Sequence, residues 1–138
     1  SLKKPDYRRK ELDMAKKKLD ICIIDDEIVV CKRLQQALTK DKHTVETFVD
    51  SRSAIERLNE KYFDIVVTDI RMDDIDGMEV LDHIVKKGEN TKVIMITGYA
   101  TIEIAREAQV KGAFDFISKP FKPQDLREVI VRAAEELS

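Results

Sequence analysis

Cysteine is scarce: Cys22 and Cys31 are the only two in 138 residues, too few for a disulfide framework and without metal-ligand spacing. Both read as small core hydrophobes in a reducing compartment. Long apolar runs are missing too. The longest have strand length, whereas a membrane-spanning helix needs about 20 apolar residues. The N-terminus shows no apolar stretch followed by a cleavage site, so export is not expected and the cytoplasm is the expected location. No internal repeat or low-complexity tract occurs. A strong overall charge is also lacking, at a formal −2, but the distribution is uneven. Residues 1–19 carry eight Lys/Arg against three Asp/Glu, and the remainder carries 17 against 24. An acidic body argues against direct nucleic-acid binding by this domain.

What the chain does have is an ordinary globular composition, 43% hydrophobic and 38% charged, with length for one domain and a real core. From residue 20 onward, strand-like and helix-like segments alternate five times. Short β-branched runs centre on 21–24, 44–49, 62–68, 92–97 and 113–117. Helical stretches lie at 27–40, 52–60, 77–87, 101–111 and 123–137. Val30, Leu34, Ala37 and Leu38 form an apolar stripe in the first of these. Continuous apolar runs in strands one, three and four predict burial on both faces, as in a parallel sheet. Strand two alternates, which suits an edge.

The punctuation agrees. Asp76 with Glu79 reads as a capping box, Gly88 as a C-terminal cap, and Thr101 and Gly112 as the limits of the fourth helix. Pro123 and Asp125 fit the first turn of the fifth. The reading is an α/β fold: a doubly wound, five-stranded parallel sheet flanked by helices, flavodoxin-like, in strand order 2-1-3-4-5. Residues 1–19 are expected to be a basic N-terminal linker or helical arm, and 20–138 the folded domain.

Each apolar run stops at a polar side chain. The first ends at Asp25-Asp26, the third at Asp69, the fourth at Thr97 and the fifth at Lys119. The carboxyl ends of parallel strands share one edge, so these groups should converge there. Two unit charges about 4 Å apart repel by around 4 kcal/mol at an effective dielectric near 20, so three carboxylates need a cation among them. Oxygen ligands without His or Cys select a hard ion, and Mg²⁺ is the natural choice. With Lys119 and Thr97 opposite, the pocket suits a phosphoryl group, and the carboxylate of Asp69 can act as its nucleophile. Singly, each residue also has a plain structural reading: helix-terminus acids, a turn, a strand exit, a solvated lysine. His43 and His83 have no base or nucleophile nearby and are expected at the surface.

These residues recur in five ordered pieces: Asp25-Asp26-Glu27, Thr68-Asp69-Ile70-Arg71-Met72, Asp76-Gly77, Ile96-Thr97-Gly98-Tyr99-Ala100 and Gly112-Ala113-Phe114-Asp115-Phe116-Ile117-Ser118-Lys119-Pro120-Phe121. In them the chain resembles the receiver domain of two-component response regulators over residues 20–137, most closely receivers of transcriptional activators and hybrid signalling proteins. The resemblance implies that Asp69 accepts phosphate from the phosphohistidine of a sensor histidine kinase. It implies Mg²⁺ on Asp25, Asp26, Asp69 and the backbone carbonyl of Arg71, with Asp25 helping through water. Lys119 would pair with the phosphoryl oxygens, Thr97 would move to hydrogen-bond them, and Phe116 would rotate inward. The switch would remodel the face of the fourth helix, fifth strand and fifth helix, where an effector domain, a partner protein or a second copy docks. A cis Lys119–Pro120 bond is implied as well.

One departure stands out. The family usually has Pro after the Met that follows the phosphorylation site, and here Asp73 follows Met72. Arg71 and Tyr99 are large neighbours expected to shield an acyl phosphate from water and slow its loss. The chain is expected to catalyse only its own phosphotransfer and dephosphorylation. Two competing readings are a phosphate-independent docking or dimerisation module and an aspartate-nucleophile hydrolase. The latter would usually need a second acid near the nucleophile as proton donor, and Asp73 is four residues on.

Overall fold

The computed structural model describes residues 17–72, 76–98 and 101–137. Most of the expected N-terminal arm, together with Asp73, Asp74 and Tyr99, lies outside the described residues. Strands β1 (Asp20–Ile24), β2 (Thr44–Phe48), β3 (Ile65–Asp69), β4 (Lys92–Thr97) and β5 (Asp115–Ser118) alternate with helices. These are α1 (Ile28–Lys40), α2 (Ser51–Glu60), α3 (Gly77–Lys87), α4 (Ile102–Lys111) and α5 (Pro123–Leu137). The five strands are parallel in the order β2-β1-β3-β4-β5, with the alternating strand at an edge. Among the described residues no helix is long and apolar enough to cross a membrane.

Period-two geometry divides each apolar run between two cores. Ile21 and Ile23 join Leu34, Leu38, Leu126 and Ile130 under α1 and α5. Cys22 and Ile24 join Leu58, Val80, Leu81 and Met95 under α2, α3 and α4. Full burial of one such side chain stabilises by about 1.5–3 kcal/mol, so the central strands anchor the fold. Both cysteines are buried and free. In α1 the inward residues are Cys31, Leu34 and Leu38, with Val30 and Ala37 half-buried at the margins.

The caps mostly follow the sequence. The Asp76 side chain accepts from the backbone N–H of Glu79 at 3.0 Å, and Gly88 ends α3 at φ 70°. Two elements shift. β3 begins three residues later than expected, because Tyr62 and Phe63 lead into the strand unpaired while Phe63 fills the core. β5 begins two residues later than expected, at Asp115, and runs one residue further, through Ser118.

His43 corrects the surface expectation. It is only 7% exposed, and its Nδ1 accepts the Leu19 backbone N–H at 3.1 Å. A left-handed turn at Lys42 (φ 73°) precedes it, and its own N–H bonds the carbonyl of Leu38. Nothing in the sequence pattern marks that turn. His83 is half-buried, with Nε2 2.9 Å from Asn59 Oδ1.

Burial holds the His43 imidazole below its ordinary value of 6.5, against the opposing charges of Asp41 and Asp64. The acceptor nitrogen must be unprotonated, so the folded chain binds fewer protons here than the unfolded one. This contribution is complete above pH 6.5 and is lost as pH falls through the lowered folded value. The stability difference between the protein and His43→Asn, followed by urea unfolding, should therefore shrink from neutral toward acid pH. A constant difference would contradict the linkage.

Candidate functional site

The strand register brings five side chains to one edge. Ile24 stands beside Thr68, Asp69 beside Ile96, and Thr97 beside Ser118, so the exits of β1, β3, β4 and β5 are level. Lys119 leaves β5 through a cis bond to Pro120. Its Nζ lies 3.2 Å from Asp25 Oδ2, 3.2 Å from Asp69 Oδ2 and 2.8 Å from Glu27 Oε1. Carboxylate oxygens of Asp25, Asp26 and Asp69 fall within 4.8 Å of one another.

Burial grades these acids. Asp25 is fully buried, the Asp69 side chain is 15% exposed, and Asp26 faces solvent. Desolvation pushes the Asp25 carboxyl above its ordinary value, against the Glu27 N–H bond and the Lys119 charge. Desolvation likewise raises Asp69, opposed by Lys119 and the Arg71 N–H, with the Asp26 charge raising it further. Burial alone would lower Lys119, yet Glu27, Asp25 and Asp69 together hold it above the usual lysine range. One ammonium thus meets three carboxylates with Asp26 beside them, and among the described residues the site keeps an excess of negative charge.

A hard divalent cation fits that excess. Asp25 Oδ2 is buried, and its partner is the Lys119 ammonium at 3.2 Å. A buried carboxylate is costly unless its charge is compensated, and the one ammonium beside it is shared with Asp69 and Glu27. The donor set is oxygen only and mixes buried with exposed carboxylates, which suits an ion that keeps several waters.

Thr97 is not brought into this cluster. Its side chain is buried, and its hydroxyl bonds the Gly98 carbonyl at 3.0 Å and the Thr101 hydroxyl. Only its backbone reaches the site, with its carbonyl accepting the Lys119 N–H at 2.8 Å. Phe116, beside Met95 in the register, is half-buried against the core under α2, α3 and α4. Arg71 is exposed, and its N–H stands 3.4 Å from Asp69 Oδ1.

Three residues gain roles that the sequence did not assign. Glu27 occupies the N-cap position of α1, but its carboxylate makes no cap bond and goes to Lys119. Thr101 sits at the N-cap of α4, yet it too makes no cap bond and spends its hydroxyl on the end of β4. Gly77 opens α3 against the chain that carries Asp69: a Cβ there would lie 2.3 Å from the Asp69 carbonyl oxygen. The third acid of the first motif hinted at Glu27. The other two depend on contacts between segments.

A family model described as response regulator receiver domain matches residues 21–131. The chain is 33% identical over 115 residues to the transcriptional regulatory protein ZraR of Escherichia coli O157:H7, covering 83% of this chain and 26% of that protein. It is 34% identical over 116 residues to the C4-dicarboxylate transport transcriptional regulatory protein DctD of Rhizobium meliloti, covering 84% and 25%. The chain thus spans about a quarter of the length of these curated relatives. Among solved structures, a response regulator receiver domain protein from Clostridium thermocellum superposes with a TM-score of 0.80 at 31% identity, covering 85% of this chain and 94% of that one.

Proposed function

The chain belongs to the response regulator receiver domain family, and from that premise we propose that it is a phosphorylation switch with Asp69 as acceptor. The observation that carries the reading is the ammonium of Lys119, 3.2 Å from Asp69 Oδ2 at the centre of the acidic cluster. Asp69 lies inside the cluster at the end of the central strand, with its carboxylate still partly accessible. An Asp69 oxygen attacks phosphorus and forms the acyl phosphate. The P–N bond of the donor phosphohistidine breaks, and its electron pair returns to the imidazole. Lys119 exchanges part of its contact with Asp69 for the phosphoryl oxygens, and it keeps the nucleophile ionised against the desolvation that favours its proton. Asp25, Asp26, Asp69 and the Arg71 carbonyl are the groups that would hold Mg²⁺. Bound there, Mg²⁺ supplies charge neutralisation for the anionic oxygens of the phosphoryl group.

Thr97 and Phe116 then act as the switch. The threonine hydroxyl turns to the phosphoryl oxygens, and the aromatic ring follows into the space released. The output face is that of α4, β5 and α5, open to an effector domain, a partner protein or a second copy. The donor is a sensor histidine kinase, and the setting is the cytoplasm. A groove of about 400 Å³ opens beside Lys119, lined by Val30, Leu34, Pro120 and Phe121 with Arg33 and Glu27 at its rim, and supports docking of a donor helix next to Asp69.

The test is incubation with acetyl phosphate and Mg²⁺, read by intact mass. One phosphoryl group per chain, dependent on Mg²⁺, is expected. Continuous turnover of varied phosphate esters would favour a hydrolase, and no uptake a passive docking module.

Arg71 bears on the lifetime of the product. Its position two residues beyond Asp69, at the exposed mouth of the site, supports a shielding role for the side chain, shared with Tyr99. Arg71→Asn should hasten loss of the phosphoryl group several-fold, followed as decay of the phosphorylated mass after donor removal. Unchanged or slower decay would remove that role.

A further inference from the structure

We propose that Thr101 is a positioning residue that holds the Thr97 hydroxyl out of the acidic site until a phosphoryl group arrives. The inference rests on the reading of Asp69 as phosphoacceptor, and it begins from a proton count. A threonine hydroxyl donates one hydrogen bond and accepts two. Thr101 Oγ1 accepts the Gly98 N–H at 2.9 Å, lies 3.1 Å from the Gly98 carbonyl and is bonded to Thr97 Oγ1. Thr97 Oγ1 in turn lies 3.0 Å from the same carbonyl. The two hydroxyl protons have two destinations, the Gly98 carbonyl and the other hydroxyl. In either order both protons stay within this loop, and Thr97 has none to offer a group on Asp69.

Thr101 gives up a local role to do this. A threonine at an N-cap normally accepts from the N–H groups of the first helical turn, and here it makes no such bond. Its oxygen joins the start of α4 to the end of β4. Both threonines are buried, at 0% and 4% residue exposure, so the bond between them is sheltered from solvent. The Thr97 backbone is held separately by the Lys119 N–H and by pairing with Ser118. What can move is therefore the side-chain torsion, which has more than one staggered setting. When Thr97 turns toward a phosphoryl oxygen, Thr101 loses its partner, and the start of α4 registers the event.

The experiment titrates beryllofluoride with Mg²⁺ into the protein and into Thr101→Val, Thr101→Ser, Thr97→Val and the double valine variant. Thr101→Val removes one of the two competing partners, leaving the Gly98 carbonyl, and should tighten binding roughly fivefold, the worth of one ordinary hydrogen bond. Thr101→Ser should match the parent. With Thr97→Val already in place, adding Thr101→Val should change nothing. Unchanged or weaker binding in Thr101→Val, or the same change with and without the Thr97 hydroxyl, would overturn the proposal. A second readout needs no phosphoryl mimic: three-bond couplings to the Thr97 methyl should report a changed torsion in Thr101→Val but not in Thr101→Ser. An unchanged torsion in both overturns the positioning role. Absence of beryllofluoride binding by the parent, or equal binding by Asp69→Asn, would instead bring down the phosphoacceptor reading on which it rests.

Discussion

Asp69→Asn is expected to abolish phosphoryl uptake while making the metal-free protein harder to melt. The two effects have one cause. Asparagine keeps the shape of the side chain but has no nucleophilic oxygen, so Mg²⁺-dependent labelling should fall by roughly a thousandfold or more. The carboxylate it replaces is held by the fold against its own preference. Burial raises the Asp69 carboxyl above its ordinary value of 3.8, with Asp26 adding repulsion and Lys119 offsetting only part. A carboxyl whose folded value is raised binds more protons in the folded chain than in the unfolded one. Its penalty is therefore complete above the folded value and fades as pH falls toward 3.8. The melting temperature of Asp69→Asn in chelator should exceed that of the parent at neutral pH, with the gap narrowing on acidification. Retained labelling would refute the acceptor assignment. A lowered melting temperature would show that Lys119 depends on Asp69 more than Asp69 strains the fold.

Gly77→Ala should cost the fold about 3 kcal/mol, toward the upper end for an added methyl group in a packed site. The obstacle is backbone. The new Cβ would lie 2.3 Å from the Asp69 carbonyl oxygen, 2.9 Å from Ile70 Cα and 3.1 Å from the Asp69 carbonyl carbon. Neither side yields easily. The Gly77 N–H is bonded to the Ile70 carbonyl at 2.8 Å, and the Ile70 N–H to that of Ile96. Either α3 retreats or the exit of β3 shifts, and the second displaces Asp69 from Lys119. Gly88→Ala offers a contrast: no atom lies within 4 Å of its Cβ, but φ is +70°, so only backbone strain of about 1 kcal/mol is expected. Chemical denaturation of both variants checks the difference. Equal costs would mean that the close approach at Gly77 is relaxed in solution.

The acidic cluster was legible because strand ends are legible. An apolar run interrupted by a carboxylate marks both the end of a buried strand and the group placed there, and this happens at Ile24 and Thr68. Thr97 shows the limit of that logic. Its position at the end of β4 followed from the run, but its side chain is committed to Thr101 and Gly98. His43 shows another limit, since one left-handed residue at Lys42 precedes a side chain that turns inward, against a polar pattern.

Residue order alone settled the alternation of strands and helices, the parallel sheet and the level at which Asp25, Asp26, Asp69 and Lys119 emerge. Those follow from local periodicity and from short-range caps, which act over a few residues. Tertiary structure decided that Glu27 would share Lys119, that Thr101 would occupy the hydroxyl of Thr97, and that Gly77 would lie against the backbone of Asp69. Each of these depends on distances between segments brought together by packing, and a linear pattern does not carry such distances.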